Sequence, residues 1–344
     1  MTTLKTLYLH IGTHKTGTTA IQRLLATRSA AFARGGLFVP RTGRVDEVSG
    51  HHNIAWQLND DARYRPALGT LEGLCEELKA SSYPAAIVSS EDFEYLYCDE
   101  PTLQGLKSAF EACGYQVEVL AFLREQTEMI GSLYQELLKH GLDMNYDVFT
   151  YAVIRHGGFV MHDRWRYCLS YERLVAGFGA VFGGAHVHCR RYERPVQQTF
   201  LEILGRPLAS EAGLASAAGW VNKALPDVKI QALQRYNAWV SRKGIAESRA
   251  SLGRRSIIDA ELPYRGQEVH ALDVASPLGL CGVLRWRRTN RWLLRKKGVR
   301  LDPPPPRRLL RNAIRGARAR LALRRQWRTV SWLMDSARTA ACSR

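Results

Sequence analysis

Short apolar runs alternate with amphipathic stretches along the first 205 residues of the chain. Leu7–Ile11, Ala85–Ser89, Val117–Leu123 and Ala185–Cys189 each have the length and the apolar content of a buried strand, and Leu37–Val39 is a shorter candidate. Apolar runs of this kind are typical of a parallel sheet that is covered on both faces. The pattern therefore predicts five strands in this part of the chain.

Apolar residues recur at helical spacing in the stretches between these runs. They include Ala20, Ile21, Leu24, Leu25 and Phe32, then Leu133, Leu137 and Leu138, and finally Val196, Phe200 and Leu204. Gly35 and Gly36 are predicted to end the first of these helices. Strands that alternate with helices predict an α/β fold, with an open, mostly parallel sheet and helices on both faces. Ligands of such sheets bind beyond the carboxyl ends of the strands.

The composition agrees with a folded enzyme-sized domain. The chain has 344 residues, of which 46% are hydrophobic, so it can build a substantial core. No stretch approaches the roughly 20 apolar residues of a membrane span. The seven cysteines are scattered and form no C-x-x-C pair, which indicates neither a zinc site nor a disulfide framework. We therefore expect a reducing, cytoplasmic location and no metal site.

The net charge of +17 is concentrated near the end of the chain. Residues 285–328 contain 17 lysines and arginines and one acidic residue, Asp302. The proline run that follows Asp302 is a stiff break in the chain. The sequence thus predicts a main domain over residues 1–250, a linker or peripheral segment over 251–284, and a basic, helical tail over 285–344.

The predicted tail has the pattern of a basic amphipathic helix. Leu310, Ile314, Ala317 and Leu321 follow helical spacing, and arginines occupy the other faces. Such a helix suits an anionic membrane surface, which would place the protein peripherally on the inner face of the membrane. A solvated tail, or a core helix that packs on the main domain, would have the same pattern. No zinc finger, RRM or helix-turn-helix motif favours contact with nucleic acid.

The segment Leu9–Thr19, LHIGTHKTGTT, predicts an anion-binding loop. It follows the first strand and opens a helix, so backbone N–H groups and the positive end of the helix dipole converge there. Lys15 adds a full positive charge, and the threonines add hydroxyl donors. The order differs from the G-x-x-x-x-G-K-[ST] phosphate loop because the lysine precedes the second glycine, Gly17. An ordinary turn with a solvated lysine remains the alternative.

A second candidate pair follows the strand Val117–Leu123. Arg124 comes at the end of this strand, and Ser132 lies eight residues later on the next predicted helix. A guanidinium that binds bidentately, together with a hydroxyl group, suits a terminal phosphate monoester. The alternative is that Arg124 caps a strand edge and Ser132 lies on a helix surface.

The order and spacing of these motifs resemble the bacterial PAPS-dependent sulfotransferases, which have a P-loop-like sulfotransferase fold. The likeness rests on HKTGTT, LREQTEMIGS, IVSSEDFEYL, SLYQELLKHG and CRRYE followed by FLEILG, and it covers about Leu7 to Gly205. The resemblance implies that the 5′-phosphosulfate of PAPS is held by His14, Lys15, Thr16, Gly17, Thr18 and Thr19. It implies that Arg124 and Ser132 grip the 3′-phosphate. Lys15 would neutralise the leaving phosphate, PAP would be the product, and no metal would be needed.

The acceptor's proton must go to a general base, and the sequence offers two kinds. Glu91 directly follows a predicted strand at the active edge of the sheet, although Ser89–Asp92 also has the pattern of a helix N-terminus. His51 and His52 are the other candidates, because histidine titrates near neutral pH. We favour Glu91, with His52 as a further catalytic candidate.

The sequence therefore predicts transfer of a sulfuryl group from PAPS to a hydroxyl or amine of a carbohydrate or glycolipid acceptor. One alternative is a phosphate-loop kinase or nucleotide hydrolase. The other is a basic membrane or nucleic-acid adaptor that keeps a degenerate loop. The pattern does not identify the acceptor, because acceptor sites lie on variable loops.

Overall fold

The structure is a computed structural model that describes residues 4–205, 225–261, 278–303 and 327–342. The chain forms two compact units. The first comprises Met1–Arg124, Gly157–Val221 and Arg288–Leu301, and the second comprises Glu125–His156, Asn222–Arg287 and Asp302–Arg344. The predicted anion-binding loop and the predicted bases all belong to the first unit.

The first unit is built on a parallel sheet. In chain order the strands of the described residues are β1 (Lys5–His10), β2 (Leu37–Phe38), β3 (Ala85–Ser89), β4 (Tyr115–Leu123), β5 (Gly158–Met161), β6 (Trp165–Cys168) and β7 (Val187–Arg191). Five of them form one sheet in the order β2-β3-β1-β4-β7, and all neighbours in it are parallel. This confirms the predicted α/β class with a parallel sheet.

Helices flank this sheet in the first unit. They are α1 (Thr18–Thr27), α2 (Ser29–Arg34), α3 (His52–Leu58), α4 (Leu71–Ala80), α5 (Glu100–Ala112), α8 (Tyr171–Phe182) and α9 (Val196–Leu204). A 3₁₀ helix, Glu91–Cys98, follows β3, and we call it the acidic 3₁₀ helix because it carries Glu91, Asp92 and Glu94. Ser90 caps it by accepting a hydrogen bond from the Asp92 N–H at 3.1 Å, as the Ser-Ser-Glu-Asp pattern indicated.

Both faces of the sheet are buried around the second half of β4, where Val119–Leu123 is a continuous apolar run. Val117, Val119 and Ala121 lie in one hydrophobic cluster. Leu120 and Phe122 lie in a second cluster. Successive side chains of a strand point to opposite faces, so a strand covered on both sides needs apolar residues at every position. Each fully buried valine, leucine or phenylalanine contributes about 1.5–3 kcal/mol to stability.

Among the predicted element boundaries that differ in the structure, two concern the first helix and the last strand. The helical pattern from Ala20 to Phe32 is interrupted at Arg28, where the backbone φ and ψ of −116° and 20° separate α1 from α2. The predicted strand Ala185–Cys189 begins at Val187, because Gly184–His186 forms a 3₁₀ turn. The apolar stripe of α9 is confirmed, since Val196, Phe200 and Leu204 are all buried.

The antiparallel hairpin β5–β6 was not predicted. Both strands have only four residues, which is too short for a clear alternating pattern. The turn between them has positive φ at His162 and Asp163 (51° and 59°). Turns of this kind are recognised in sequences by Asn-Gly or Asp-Gly pairs, and this turn contains no glycine. The hairpin matters for the site because its Cys168 N–H bonds to Glu94.

The second unit is helical in its described part. Its helices are α6 (Gln126–Lys139), α7 (Tyr146–His156), α10 (Asp227–Lys243), α11 (Glu247–Asp259) and α13 (Trp327–Cys342). Tyr236 of α10, Ile257 of α11 and Leu333 of α13 are fully buried. A further helix, α12 (Leu278–Lys297), contributes residues to both units. Among the described helices, none is both long enough and apolar enough to cross a membrane.

The compact units follow boundaries that differ from the predicted domains 1–250, 251–284 and 285–344. Leu293, Val299 and Leu301 belong to the core of the first unit, although they lie within the predicted basic tail. Lys297 donates hydrogen bonds from Nζ to the carbonyl oxygens of Val187 and Gly184, each at 2.6 Å. The apolar positions between the basic residues therefore make residues 288–301 part of a core. The predicted helix positions Leu310, Ile314, Ala317 and Leu321 lie outside the described residues.

Candidate active site

The N-terminal loop, which we define as Gly12–Thr19, continues directly from the carboxyl end of β1. Its backbone remains paired with β4, because Thr13 N–H donates to the Phe122 carbonyl at 3.0 Å. The Thr13 hydroxyl donates to the same oxygen at 3.1 Å. These bonds fix the loop at the sheet edge where ligands of parallel sheets bind.

The two glycines of this loop are required by close contacts. Gly12 has a φ of +87°, and a Cβ atom there would lie 3.0 Å from Cβ of Glu91. Gly17 has a φ of +80°, and a Cβ atom there would lie 2.8 Å from Cγ1 of Val196. Left-handed backbone and tight space both favour glycine. The loop and Glu91 are thus in direct contact, which the sequence alone did not show.

Helix α1 begins at Thr18, so the last two residues of the loop form the start of its first turn. Its N-cap residue, Gly17, supplies no side-chain hydrogen bond to the first turn. The first N–H groups of a helix have no intrahelical acceptor, and they carry the positive end of the helix dipole. Thr18 is buried and Thr19 is exposed. Such a helix N-terminus is a common place for a phosphate or sulfate group, and anion binding here stays a prediction.

Two cations accompany this loop in the first unit. Lys15 is partly buried and has a positive φ of 59°. Arg124 follows β4, and its NH1 atom lies 3.5 Å from the Lys15 carbonyl oxygen. Its guanidinium also lies over the Tyr192 ring, 5.8 Å from the centroid. Ser132, the predicted partner of Arg124, lies on α6 in the second unit, so their pairing stays a prediction.

Glu91 and His52, the two predicted catalytic candidates, lie side by side. Oε2 of Glu91 is 4.0 Å from Nε2 of His52, and it accepts a 2.6 Å hydrogen bond from Nε2 of Gln22 on α1. The Glu91 and His52 side chains retain 18% and 16% of their accessible surface, so both can be reached by a ligand. Nδ1 of His52 lies 2.9 Å from the Ser90 hydroxyl.

The surroundings of Glu91 and His52 shift the pKa values of these two side chains in opposite directions. Burial alone would raise the pKa of Glu91, but the charges of His52 and His14 lower it below the ordinary glutamate value. Burial alone would lower the pKa of His52, but Glu91 and Asp92 raise it above the ordinary histidine value. Both shifts favour the ionised carboxylate of Glu91 and the protonated imidazole of His52.

His51 is a structural histidine. It is fully buried, its Nε2 lies 3.1 Å from the Pro40 carbonyl oxygen, and its Nδ1 accepts from the Ser89 N–H at 3.1 Å. Burial and the charge of Arg44 lower its pKa to about 3. Both ring nitrogens are used within the protein, so of the two adjacent histidines only His52 is placed to act on a ligand.

The His14 ring faces the acidic 3₁₀ helix. Its Nδ1 lies 2.8 Å from Oε2 of Glu94, and its Nε2 lies 3.2 Å from Oδ1 of Asp92. Burial alone would lower its pKa, but the hydrogen bonds and charges of both carboxylates raise it to about 10. The ring nitrogens are thus directed at carboxylates, and this placement supports an orienting role for His14 in the loop.

Asp92 connects several parts of the site. Its Oδ2 accepts a 2.6 Å hydrogen bond from the indole N–H of Trp56, and it lies 3.5 Å from Nδ1 of His52. NH2 of Arg63 lies 3.7 Å from the same oxygen. The hydrogen bonds and charges of His14 and His52 hold the pKa of Asp92 well below its usual value, against the effect of burial.

No family model, no curated protein and no solved structure matches this chain.

The structure brings together more residues than the sequence indicated. Lys15, Glu91, His52 and the loop backbone lie at one edge of the sheet in the first unit. Asp92, Glu94, Gln22 and Trp56 were not predicted to take part. The sequence did contain a signal for Asp92 and Glu94, because three acidic residues occur within four positions shortly after a buried strand. The predicted anion-binding turn therefore lies beside a carboxylate–imidazole pair.

Proposed function

We propose that the protein transfers a sulfuryl group from PAPS to a hydroxyl or amine of a carbohydrate or glycolipid acceptor. The observation that carries this proposal is the contact between the N-terminal loop and Glu91 at the carboxyl edge of the sheet. An anion-binding turn and a proton acceptor are thereby adjacent, which is the arrangement that in-line transfer to a protonated acceptor requires. PAPS supplies the sulfuryl group, and the chain supplies binding and orientation.

The donor side of the proposal rests on the loop and on Arg124. The first turn of α1 and the side chain of Lys15 would hold the 5′-phosphosulfate and neutralise the phosphate that leaves. Thr16, Gly17, Thr18 and Thr19 would complete this site as the resemblance implies. Arg124, 3.5 Å from the Lys15 carbonyl, is near enough to the loop to accompany the same nucleotide. Its proposed ligand is the 3′-phosphate, together with Ser132.

The acceptor side rests on Glu91. In the proposed step the acceptor oxygen or nitrogen attacks sulfur, the bond from sulfur to the bridging phosphate oxygen breaks, and Glu91 takes the acceptor's proton. Gln22 holds one carboxylate oxygen of Glu91 at 2.6 Å, which fixes the orientation of the other. His52 stabilises the ionised form of Glu91, so it acts on the base and not directly on the acceptor.

The proposal is tested by a product assay. The protein is incubated with PAPS and a panel of sugars and glycolipids, and a product about 80 Da heavier than its acceptor shows transfer of one sulfuryl group. Lys15→Ala should reduce this turnover far more than it weakens binding of PAP, because the lysine acts on charge that develops as the phosphate leaves. Equal loss of both would make Lys15 only a ground-state anchor.

The alternative functions predict different outcomes with PAPS, with ATP and after Lys15→Ala. A phosphate-loop kinase or hydrolase would consume ATP and ignore PAPS. A membrane or nucleic-acid adaptor would keep its function after Lys15→Ala. Adsorption to anionic vesicles through the basic C-terminal residues is a separate proposal, and it predicts binding that salt weakens.

A further inference from the structure

The His14 ring lies between two carboxylates, and each of its ring nitrogens faces a hydrogen-bond acceptor. Nδ1 faces Oε2 of Glu94 at 2.8 Å, while Nε2 faces Oδ1 of Asp92 at 3.2 Å and the Tyr95 hydroxyl oxygen at 2.9 Å. Tyr95 donates its own proton to Tyr167 at 3.1 Å, so it accepts from His14. A neutral imidazole has one N–H and could serve only one of these two sides.

The hydrogen bonds that the two carboxylates accept favour their ionised forms. Oε1 of Glu94 accepts from the Cys168 N–H at 2.8 Å, and Oε2 accepts from the backbone N–H of His14 at 2.9 Å. Oδ2 of Asp92 accepts from the indole N–H of Trp56. Carboxylates that accept from N–H groups in this way are stabilised in the ionised form. The geometry therefore favours the cationic form of His14, with the proton on the ring and not on a carboxylate.

His14 also joins two segments that carry different parts of the site. Its backbone and its ring bind the same oxygen of Glu94, so the loop is attached twice to the acidic 3₁₀ helix. Lys15 is the next residue of the loop, and Glu91 begins the helix to which the loop is attached. The Tyr95 ring stacks on His14 with centroids 4.9 Å apart, which fixes the ring plane.

We infer that His14 is a permanent imidazolium and a positioning residue that clamps the N-terminal loop to the acidic 3₁₀ helix, so that Lys15 and Glu91 keep a fixed spacing. This inference deepens the proposed function and, for its catalytic consequence, rests on it. It assigns Asp92 and Glu94 to the clamp and leaves Glu91 free to face the acceptor.

The groups around the ring favour its charge. Asp92, Glu94 and Tyr95 face it from the acidic 3₁₀ helix, and Tyr167 faces it from β6 at 4.8 Å between ring centroids. The charge of His52 on α3 opposes it, and Arg63 competes for Asp92 from 3.7 Å. The two carboxylates at hydrogen-bond distance outweigh these cations, in agreement with the raised pKa of about 10.

The charge is tested on the unmodified full-length chain by ¹⁵N NMR of the histidine rings at about pH 8.5, where an ordinary histidine is neutral. His14 should show two protonated ring nitrogens, whereas the His51 ring should show one protonated nitrogen and one bare nitrogen. The spectrum of His14→Gln identifies the His14 signals. A bare nitrogen on His14 at this pH would overturn the inference.

The clamp is tested by amide hydrogen exchange of residues 13–16. His14→Gln can donate to one carboxylate only, so exchange in this peptide should accelerate by about tenfold or more at a temperature where the variant is folded. His51→Gln is the matched control, since it also removes a buried imidazole but should leave exchange of the loop unchanged. Equal exchange in wild type and His14→Gln would contradict the clamp, whatever reaction the protein performs.

The catalytic consequence is tested with PAPS and PAP as probes. His14→Gln should lower the rate of PAPS consumption by at least about tenfold more than it weakens PAP affinity, because the spacing to Glu91 matters in the transition state. Equal loss of rate and affinity would make His14 a binding residue and not a positioning residue. Failure of the wild-type protein to bind PAP would refute the proposed function, while the NMR and exchange results would still decide the clamp.

Discussion

Two carboxylates of the first unit each lie between two histidines, and they differ mainly in burial. Asp92 is 3.2 Å from His14 and 3.5 Å from His52, and these side chains are at most 16% exposed. Glu118 of β4 is 2.8 Å from His186 and 2.6 Å from His188, but these imidazoles are 35% and 37% exposed. The shorter contacts belong to the solvated cluster. Distance alone therefore does not rank the two clusters by their contribution to stability, because water screens the exposed charges.

The buried cluster should respond far more strongly to loss of its carboxylate. Asp92→Asn leaves two imidazoles without their shared partner in a dry site, and it should lower the free energy of unfolding by roughly 3–5 kcal/mol. Glu118→Gln, the matched change in the exposed cluster, should lower it by about 0–1 kcal/mol. Urea unfolding of both variants at one pH measures the difference. Similar losses would show that burial does not separate the clusters.

The buried cluster should also make stability depend on alkaline pH. The folded pKa of His14 is about 10, above the unfolded value of 6.5, so its contribution is complete below about pH 6.5 and is lost as the pH rises through 10. The stability lost in His14→Gln should therefore be largest below neutral pH, on the order of a few kcal/mol, and shrink on the alkaline side. Unfolding of wild type and variant across this range gives the profile. A difference that grows with pH would contradict the assigned charge.

Two glycine variants separate the destabilisation caused by contact with Glu91 from the destabilisation caused by backbone strain. Gly12→Ala and Gly114→Ala both place a side chain at positive φ, which costs about 1–2 kcal/mol. Only the Cβ of the Gly12 variant would also meet Glu91, because nothing lies within 4 Å of a Cβ at Gly114. The extra overpacking should add roughly 1–3 kcal/mol. Equal unfolding free energies for the two variants would argue against the close approach.

Salt should produce the smallest effect and should act on one cluster only. About 1 M salt shortens the Debye length to a few ångströms and should erase the small stability contribution of Glu118. The loss caused by Asp92→Asn should persist in the same salt, since its partners exclude solvent. Comparison of each variant with wild type at low and high salt checks this expectation.

The sheet was predictable because its signal is local. Strand β3 and the second half of β4 are buried on two faces, so their apolar runs identify them without knowledge of their partners, and Ala85–Ser89 coincides with β3. The hairpin β5–β6 lacked such a signal. The break between α1 and α2 was missed because Arg28 has no feature in the sequence that ends a helix.

The candidate site was predictable only in part because its contacts are long-range. The loop composition indicated an anion-binding turn. The position of Glu91 directly after β3 indicated that it lies at the carboxyl edge of the sheet. The partners of His14 are separated from it by 78 and 80 residues, so no local pattern joins them. The apolar core positions within 288–301 were obscured by the basic residues around them. The high positive charge of this segment therefore indicated a tail, although the apolar residues pack in a core.

The central claim, that the loop and Arg124 bind a 3′-phosphorylated nucleotide, is tested most directly by calorimetric titration with PAP, adenosine 5′-phosphate and ATP. PAP should bind more tightly than either of the others. Arg124→Ala should remove roughly 2–5 kcal/mol of PAP affinity and leave adenosine 5′-phosphate binding nearly unchanged, because only PAP carries the second phosphate. Tighter binding of ATP than of PAP would contradict the account. So would an Arg124→Ala variant that weakens binding of PAP and of adenosine 5′-phosphate equally.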